Sequence, residues 1–324
     1  MSDEPHAQSP TEPSSEHALS RQLVVAKDFV IRRTELACPG NNMKMMTKAA
    51  ASDADQVMFD LEDAVAVSQK VAARGTVIEA LKTLDFVGKI RTFRPNNIRT
   101  KFFYRDLIEV VEAAGQYLDG IVIPKVYGYE DVLFVDRLLT QIEENMGLAI
   151  GRIKLEVLIE SADAVLHAEA IAKCTPRMGG LIFGLVDYAG DIGAQEVGAE
   201  QFFYYNYAKA KLIAAARAAG ITCVDSVTLA IRDLEACRRD ARMAARMGFD
   251  GKWAIHPSQI PVINEAFSPT SDEIARAQRI FAAYENADVR EGAGAIVIDD
   301  EMVDAASLRV EWKRLAVAKK AGLI

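Results

Sequence analysis

The sequence is poor in the side chains that build disulfide and metal frameworks, with four cysteines and four histidines in 324 residues. Cys38, Cys174, Cys223 and Cys237 show no C-x-x-C spacing, and a chain of this size does not need disulfides, so they are expected to be reduced. No apolar run approaches the roughly 18 residues of a membrane span. The first residues, with Glu4, Pro5, His6, Pro10, Pro13 and Glu16, lack the basic start and apolar stretch of a secretory signal. A cytoplasmic protein without a membrane partner is expected. The glycine-rich fingerprints G-x-G-x-x-G and the P-loop are missing, which removes the usual signatures of dinucleotide and nucleoside triphosphate binding. Basic charge is also in deficit: 38 Lys+Arg against 46 Asp+Glu leave a net charge of −8. Such a field repels phosphate backbones and excludes nucleic acid as a partner.

What is present is a large apolar content, 50% of residues, enough to fill a substantial core. The length allows one large α/β barrel or two ordinary domains. Residues 1–20, rich in Ser, Pro, Glu and His, are expected to form a disordered tail. Beyond them short apolar runs recur at 35–38, 56–60, 90–94, 120–124, 155–159, 180–186, 221–224 and 253–256, many of them β-branched. Segments with helical periodicity separate them, such as 104–117 with Leu107, Ile108, Val111 and Ala114, and glycines such as Gly220 and Gly248 close them. Eight strands alternating with helices, each covered on both faces, predict an α/β fold of the (β/α)8 TIM-barrel type over 21–267. Thr270 to Glu273 read as a capping box, so 268–324 form a C-terminal helical extension outside the barrel.

Barrels of this class carry their sites at the C-terminal strand ends, and the residues there are unusually polar. The second run ends in Asp60, Glu62 and Asp63, the third in Arg94 and Asn96, the fourth in Lys125, the fifth in Glu160, the sixth in Asp187, the seventh in Asp225 and the eighth in His256. Glu160 and Asp187 close consecutive apolar runs and can converge. Two hard carboxylates without histidine or cysteine suit Mg2+, with Mn2+ as a substitute, and do not suit zinc. Alternatively, either acid caps the helix after it. Arg94 offers a permanent forked cation for a carboxylate or a developing enolate oxygen, or a salt bridge to its acidic neighbours. Lys125 could form a Schiff base only if its pKa were depressed, and the surrounding carboxylates push it the other way. Charge pairing fits it better, and His256 reads as a positioned loop histidine.

On these residues the chain resembles the HpcH/HpaI aldolase superfamily, in its citrate lyase β-subunit-like and malyl-CoA lyase branch. The resemblance runs from about residue 33 to the C-terminus. It is carried by Arg33-Thr-Glu-Leu-Ala-Cys-Pro-Gly40, Phe59-Asp-Leu-Glu-Asp-Ala-Val65, Ile123-Pro-Lys-Val126, Val157-Leu-Ile-Glu160, Phe183-Gly-Leu-Val-Asp187, Gly251-Lys-Trp-Ala-Ile-His-Pro-Ser-Gln259 and Met302-Val-Asp304. Any one of these motifs would be weak evidence, whereas together and in order they are specific.

The resemblance implies a Mg2+-dependent carbon–carbon lyase that cleaves a 3-hydroxyacyl-CoA of the malyl-CoA, 3-methylmalyl-CoA or citramalyl-CoA type. The products would be acetyl-CoA or propionyl-CoA and a 2-oxo acid, glyoxylate or pyruvate. By matching position Glu160 and Asp187 become the metal ligands and Arg94 the group at the thioester carbonyl. Arg33, Asp60 and Lys125 fall near substrate or CoA. Asp304 matches an acid or base that a neighbouring subunit's lid brings over the site, in a homotrimer or homohexamer. By its own position Asp304 reads as a helix cap before Ala305. Gly190 to Glu200 make a shorter insertion than in malyl-CoA lyases, so the pocket differs there. A malyl-CoA-type thioesterase, a citrate lyase β-subunit acting on an acyl-carrier-protein thioester, and a non-catalytic CoA-ester-binding paralogue are the rival readings.

Overall fold

The computed structural model describes residues 30–198, 200–291 and 295–324, so the expected tail lies outside the described residues. The chain forms two compact units, one spanning Arg32–Ser268 and another containing Pro269–Ile324.

The first unit is a closed barrel of eight parallel strands in sequence order. These are β1 (Thr34–Pro39), β2 (Gln56–Asp60), β3 (Ile90–Arg94), β4 (Gly120–Ile123), β5 (Lys154–Ile159), β6 (Met178–Phe183), β7 (Thr222–Asp225) and β8 (Gly251–Ala254). Helices connect them: α1 (Met43–Ala50), α2 (Lys70–Thr83), α3 (Phe103–Ala114), α4 (Tyr129–Asn145), α5 (Ala162–Leu166), α6 (Ala168–Lys173), α7 (Leu185–Asp191), α8 (Gln201–Tyr204), α9 (Asn206–Ala219), α10 (Leu234–Met247) and α11 (Ile260–Ala266). Gly220 at φ 69° and Gly248 at φ 109° end α9 and α10 in the left-handed conformation that glycine adopts without a Cβ penalty.

Strand side chains alternate between two apolar environments. One set, including Val57, Phe59, Phe93, Ile121, Val157, Leu181 and Phe183, packs into the large core with the helices. The other, Met58, Val122, Leu158, Ile182, Val224 and Trp253, fills the barrel interior. Asp60, Arg94 and Glu160 share strand phase with Met58, Thr92 and Leu158, and so project inward at the C-terminal mouth.

The sixth apolar run departs from expectation. The strand stops at Phe183, and Leu185 and Val186 open helix α7 after Gly184, whose φ of −93° and ψ of 81° leave the extended region. Asp187 therefore sits in the first turn of a helix and not at a strand end. The apolarity of Leu185 and Val186 suggests a strand, but buried helix starts and buried strands are equally apolar over so few residues.

In the second unit α12 (Ser271–Glu291) starts with the predicted capping box. The Thr270 N–H donates to Glu273 Oε2 at 2.8 Å, and the Glu273 N–H donates to Thr270 Oγ1 at 3.2 Å. The extension is not wholly helical. An antiparallel hairpin of β9 (Ala295–Ile298) and β10 (Glu301–Asp304) precedes α13 (Ala305–Lys320). Its two-residue turn is made by Asp299 and Asp300 at φ 51° and 62°, the type I′ geometry that matches strand twist. Ile280, Tyr284, Val303 and Leu308 form this unit's own small core. Among the described residues no helix is long and apolar enough to cross a membrane.

Candidate active site

The barrel mouth is built around Arg94, the last residue of β3, which is only 7% exposed. Its Nε and Nη2 both donate to the Asp60 carboxylate at 2.7 Å, a bidentate pair between adjacent strands. Asp60 also accepts from the backbone N–H groups of Glu62 at 2.8 Å and Ala64 at 2.9 Å. Burial pushes the Asp60 carboxyl up, but the Arg94 charge and these four hydrogen bonds outweigh it and hold it below the usual range. On Arg94 the same neighbours, with Glu62 and Glu160, outweigh burial and raise its pKa further. Its Nη1 lies 3.2 Å from Glu62 Oε2, and its Cζ stands 5.4 Å from the centroid of the Trp253 ring. The guanidinium is thus clamped along one edge and supported on one face. The salt bridge and the availability of Nη1 coexist.

Lys125 ties the acidic residues together. Its φ of 52° is uncommon for a residue other than glycine. Its backbone N–H donates to Glu160 Oε1 at 2.7 Å. Its Nζ lies 3.0 Å from Glu62 Oε1, 3.1 Å from Asp63 Oδ2 and 3.6 Å from Asp187 Oδ1. Burial lowers the ammonium pKa, but Glu62 and Asp63 more than compensate and raise it. A protonated amine cannot attack a carbonyl, so this environment opposes Schiff-base chemistry at Lys125.

Glu160 is 4% exposed. Burial first, then the negative charge of Asp187, push its carboxyl up to about 8, against the pull of Arg94. Gly184 borders it so closely that a Cβ there would lie 2.6 Å from Glu160 Oε2. Only glycine leaves this oxygen its place. Two mutually repelling carboxylates, one deeply buried and both tied to Lys125, form a seat that a divalent cation would neutralise. The donor set is all oxygen, and among the described residues no group of three or more His, Cys, Asp or Glu converges to hold an ion. An all-oxygen donor pair fits Mg2+, which keeps several waters and takes few carboxylates, and does not fit zinc.

The remaining residues singled out in the sequence lie elsewhere. Arg33 precedes β1, at the opposite end of the strand from the mouth. Its backbone N–H and Nε donate to Asp55 Oδ2 at 2.8 and 2.9 Å, its Nη2 to Asp55 Oδ1 at 2.8 Å, and its Nη1 to Ser268 Oγ at 2.9 Å. Asp225 points out of the barrel and binds two buried lysines, Lys209 of α9 and Lys252 of β8. His256 Nδ1 is 2.7 Å from Ser258 Oγ in the turn after β8. Asp304, in the second unit, caps α13: its Oδ1 accepts from the Ala306 and Ser307 N–H groups, both at 2.9 Å, and from Ser307 Oγ at 3.1 Å. These bonds hold its carboxyl below the ordinary range. Gly184 and Trp253 had no site role from sequence, and Glu62 was read there only as an acid at the mouth that could pair with Arg94. An acid two residues after Asp60, a glycine breaking an apolar run and a tryptophan in a run otherwise free of aromatics were the available signals.

Comparison with known proteins identifies the family. A family model described as HpcH/HpaI aldolase/citrate lyase matches residues 33–257. The L-malyl-CoA/beta-methylmalyl-CoA lyase of Cereibacter sphaeroides (strain ATCC 17025 / ATH 2.4.3) is 40% identical over 292 residues, covering 86% of this chain and 91% of that protein. Citrate lyase subunit beta of Leuconostoc mesenteroides subsp. cremoris is 36% identical, covering 85% and 89%. The crystal structure of CitE from Mycobacterium tuberculosis, in complex with magnesium, acetoacetate and coenzyme A, superposes with a TM-score of 0.73 at 29% identity, covering 90% of this chain and 98% of that one. The chain belongs to the HpcH/HpaI aldolase/citrate lyase family and is homologous to its carbon–carbon lyases.

Proposed function

We propose that the protein is a Mg2+-dependent lyase that reversibly cleaves a 3-hydroxyacyl-CoA of the malyl-CoA, 3-methylmalyl-CoA or citramalyl-CoA type into acetyl-CoA or propionyl-CoA and glyoxylate or pyruvate. The observation that carries the reading is the pair Glu160 and Asp187, drawn together on Lys125 beside a clamped Arg94. Magnesium, or manganese in its stead, would be held by Glu160 and Asp187, and supplies Lewis acidity toward the oxygens of the hydroxy or oxo acid. The Lys125 backbone N–H orients Glu160, and its ammonium balances Glu62 and Asp63 at the entrance. Arg94 turns its remaining Nη1 hydrogens to the thioester oxygen and stabilises the charge of the enolate. Asp60 fixes that orientation, so no reorganisation is required as charge develops.

Asp304 is the acid–base group in this reading, delivered over the mouth of another subunit by the C-terminal unit acting as a lid in a trimer or hexamer. Its depressed pKa favours the carboxylate at neutral pH, so in condensation it accepts the proton at the acyl α-carbon while the new alkoxide takes one from solvent, and in cleavage Asp304 in its acid form gives a proton to that carbon as the hydroxyl releases its own to solvent. Arg33 stays outside this constellation as a CoA contact to be tested by substitution.

The test is incubation of the purified protein with Mg2+ and a panel of 3-hydroxyacyl-CoAs, with both products identified by mass. An acyl-CoA shortened by the 2-oxo acid, formed only while EDTA is absent, is expected. Free CoA with intact hydroxy acid would indicate a thioesterase and overturn the reading, as would activity confined to acyl-carrier-protein thioesters.

A further inference from the structure

The barrel interior between Arg94 and the N-terminal strand ends is not filled by apolar side chains alone. Glu35 of β1, Gln56 of β2, Thr92 of β3 and Glu156 of β5 bring a polar layer into it, with Arg32 entering from before β1. Glu35 and Gln56 are register partners across β1 and β2, and Glu35 and Trp253 across β1 and β8. Glu156 is matched: it pairs with Arg32 and accepts from Gln56 Nε2 at 2.7 Å. Glu35, 1% exposed, is not. Among the described residues seven buried side-chain polar atoms lack a partner, and five belong here: Arg32 Nε, both Glu35 oxygens, Gln56 Oε1 and Trp253 Nε1. Buried polar atoms are nearly always satisfied, so a cluster of exceptions has a cause.

Donor arithmetic supplies one. With Glu35 ionised, two N–H donors face three acceptor atoms, and the carboxylate is a buried charge to spare. Arg32 is paired with Glu156 and feels Glu35 first, then Asp250 and Asp119, so it cannot balance both glutamates, and Arg94 is matched by Asp60 and Glu62. The other inward residues of the strands, Val122, Leu158, Ile182 and Val224, carry no charge, and Lys252 points outward to Asp225. With Glu35 protonated, its O–H can donate toward Gln56 Oε1, and its second oxygen can reach Trp253 Nε1 through one bound water, since no direct bond joins them.

We infer that Glu35 is a positioning residue for the Arg94–Trp253 pair: it works in its neutral form and, by holding the indole N–H through a bound water, fixes the ring that supports the guanidinium. Burial, against the pull of Arg32 and Arg94, pushes its carboxyl up to about 7, so the arrangement loosens as pH rises through neutrality. The link to turnover rests on the role proposed for Arg94, while the link to Trp253 does not.

The test separates the two. In a Trp312→Phe background Trp253 is the only indole. Its emission is expected to titrate between about pH 5.5 and 8.5, and Glu35→Gln in that background is expected to abolish the transition and fix the low-pH signal. In the full enzyme with saturating Mg2+, E35Q is expected to remove the alkaline limb of kcat that belongs to Glu35. A flat emission in the parent, or an unchanged transition in E35Q, overturns the inference. If E35Q does not fold, Glu35→Asp must shift the midpoint, and an unmoved midpoint overturns it. Loss of the emission transition without any change in the kcat profile refutes the positioning role and leaves the reading of Arg94, which Asp60 clamps independently, standing.

Discussion

Gly184→Ala should disable the metal seat by crowding the Glu160 side chain from its Cβ to its Oε2. The backbone at Gly184 has φ −93°, so alanine meets no conformational penalty there. Its methyl group, however, would stand 2.6 Å from Glu160 Oε2 and closer still to the Glu160 Cβ. Ordinary contact requires about 3.5 Å, so the carboxylate must retreat by about 1 Å. It cannot swing freely, because Oε1 is held by the Lys125 N–H at 2.7 Å, and turning away breaks that bond. Metal sites tolerate displacements of about 0.2 Å in ligand distance. Losing the supporting geometry of a ligand typically costs about 10- to 100-fold in metal affinity. The expected result is therefore Mg2+ binding weakened by at least that factor in calorimetric titration, kcat recovered in part at high Mg2+, and a thermal midpoint in EDTA below the parent's, because the approach to the Glu160 Cβ forces the backbone apart at the ends of β5 and β6. Unchanged Mg2+ affinity with a folded variant would refute the placement of the ion between Glu160 and Asp187.

Arg94→Lys keeps the charge but loses the fork that Asp60 grips at two points. Turnover should fall by about 10²- to 10³-fold, as for loss of one preorganised oxyanion donor, while Mg2+ affinity changes less; equal losses would mean that Arg94 serves the metal. Asp304→Asn retains a good helix cap for α13 but no base, so kcat should drop by about 10²- to 10⁴-fold with metal binding intact, and a variant of full activity would remove Asp304 from the chemistry. Asp225→Asn leaves Lys209 and Lys252, both 0% exposed, without their carboxylate. Breaking such a buried pair costs about 3–5 kcal/mol, which denaturant unfolding should register and which a change below 1 kcal/mol, roughly the value of an exposed pair, would contradict.

The eight barrel strands were legible because buried parallel strands read as short, β-branched apolar runs separated by helical periodicity, and each of these eight overlaps a run read from the sequence, whereas the hairpin of β9 and β10 matches none. The same physics hid the direction in which the acids at their ends point. A strand covered on both faces shows no apolar–polar alternation, so the sequence carries no phase from which to tell an inward acid from an outward one. Glu160 and Asp225 look alike, each an acid at the end of an apolar run. They differ by one position in parity. Glu160 comes two residues after Leu158 of the barrel interior and faces the mouth, whereas Asp225 comes one residue after Val224 of that interior and faces α9. A shift of one residue exchanges the faces of a strand, and with them a metal ligand and a structural ion pair.

Parity also accounts for Glu35, which stands at the start of β1 and carried no signal of its own. Only its register with Gln56 and Trp253 puts it inside the barrel. The charge of Asp187 reaches Glu160 by another route, because Gly184 ends β6 and α7 begins at once. A strand continued to Val186, as the apolar run suggests, would have placed Leu185 outward, Val186 inward and Asp187 outward, away from Glu160. The break at Gly184 thus does two things for the site: it spares the space of Glu160 Oε2 and it resets the phase that brings the second carboxylate to the first.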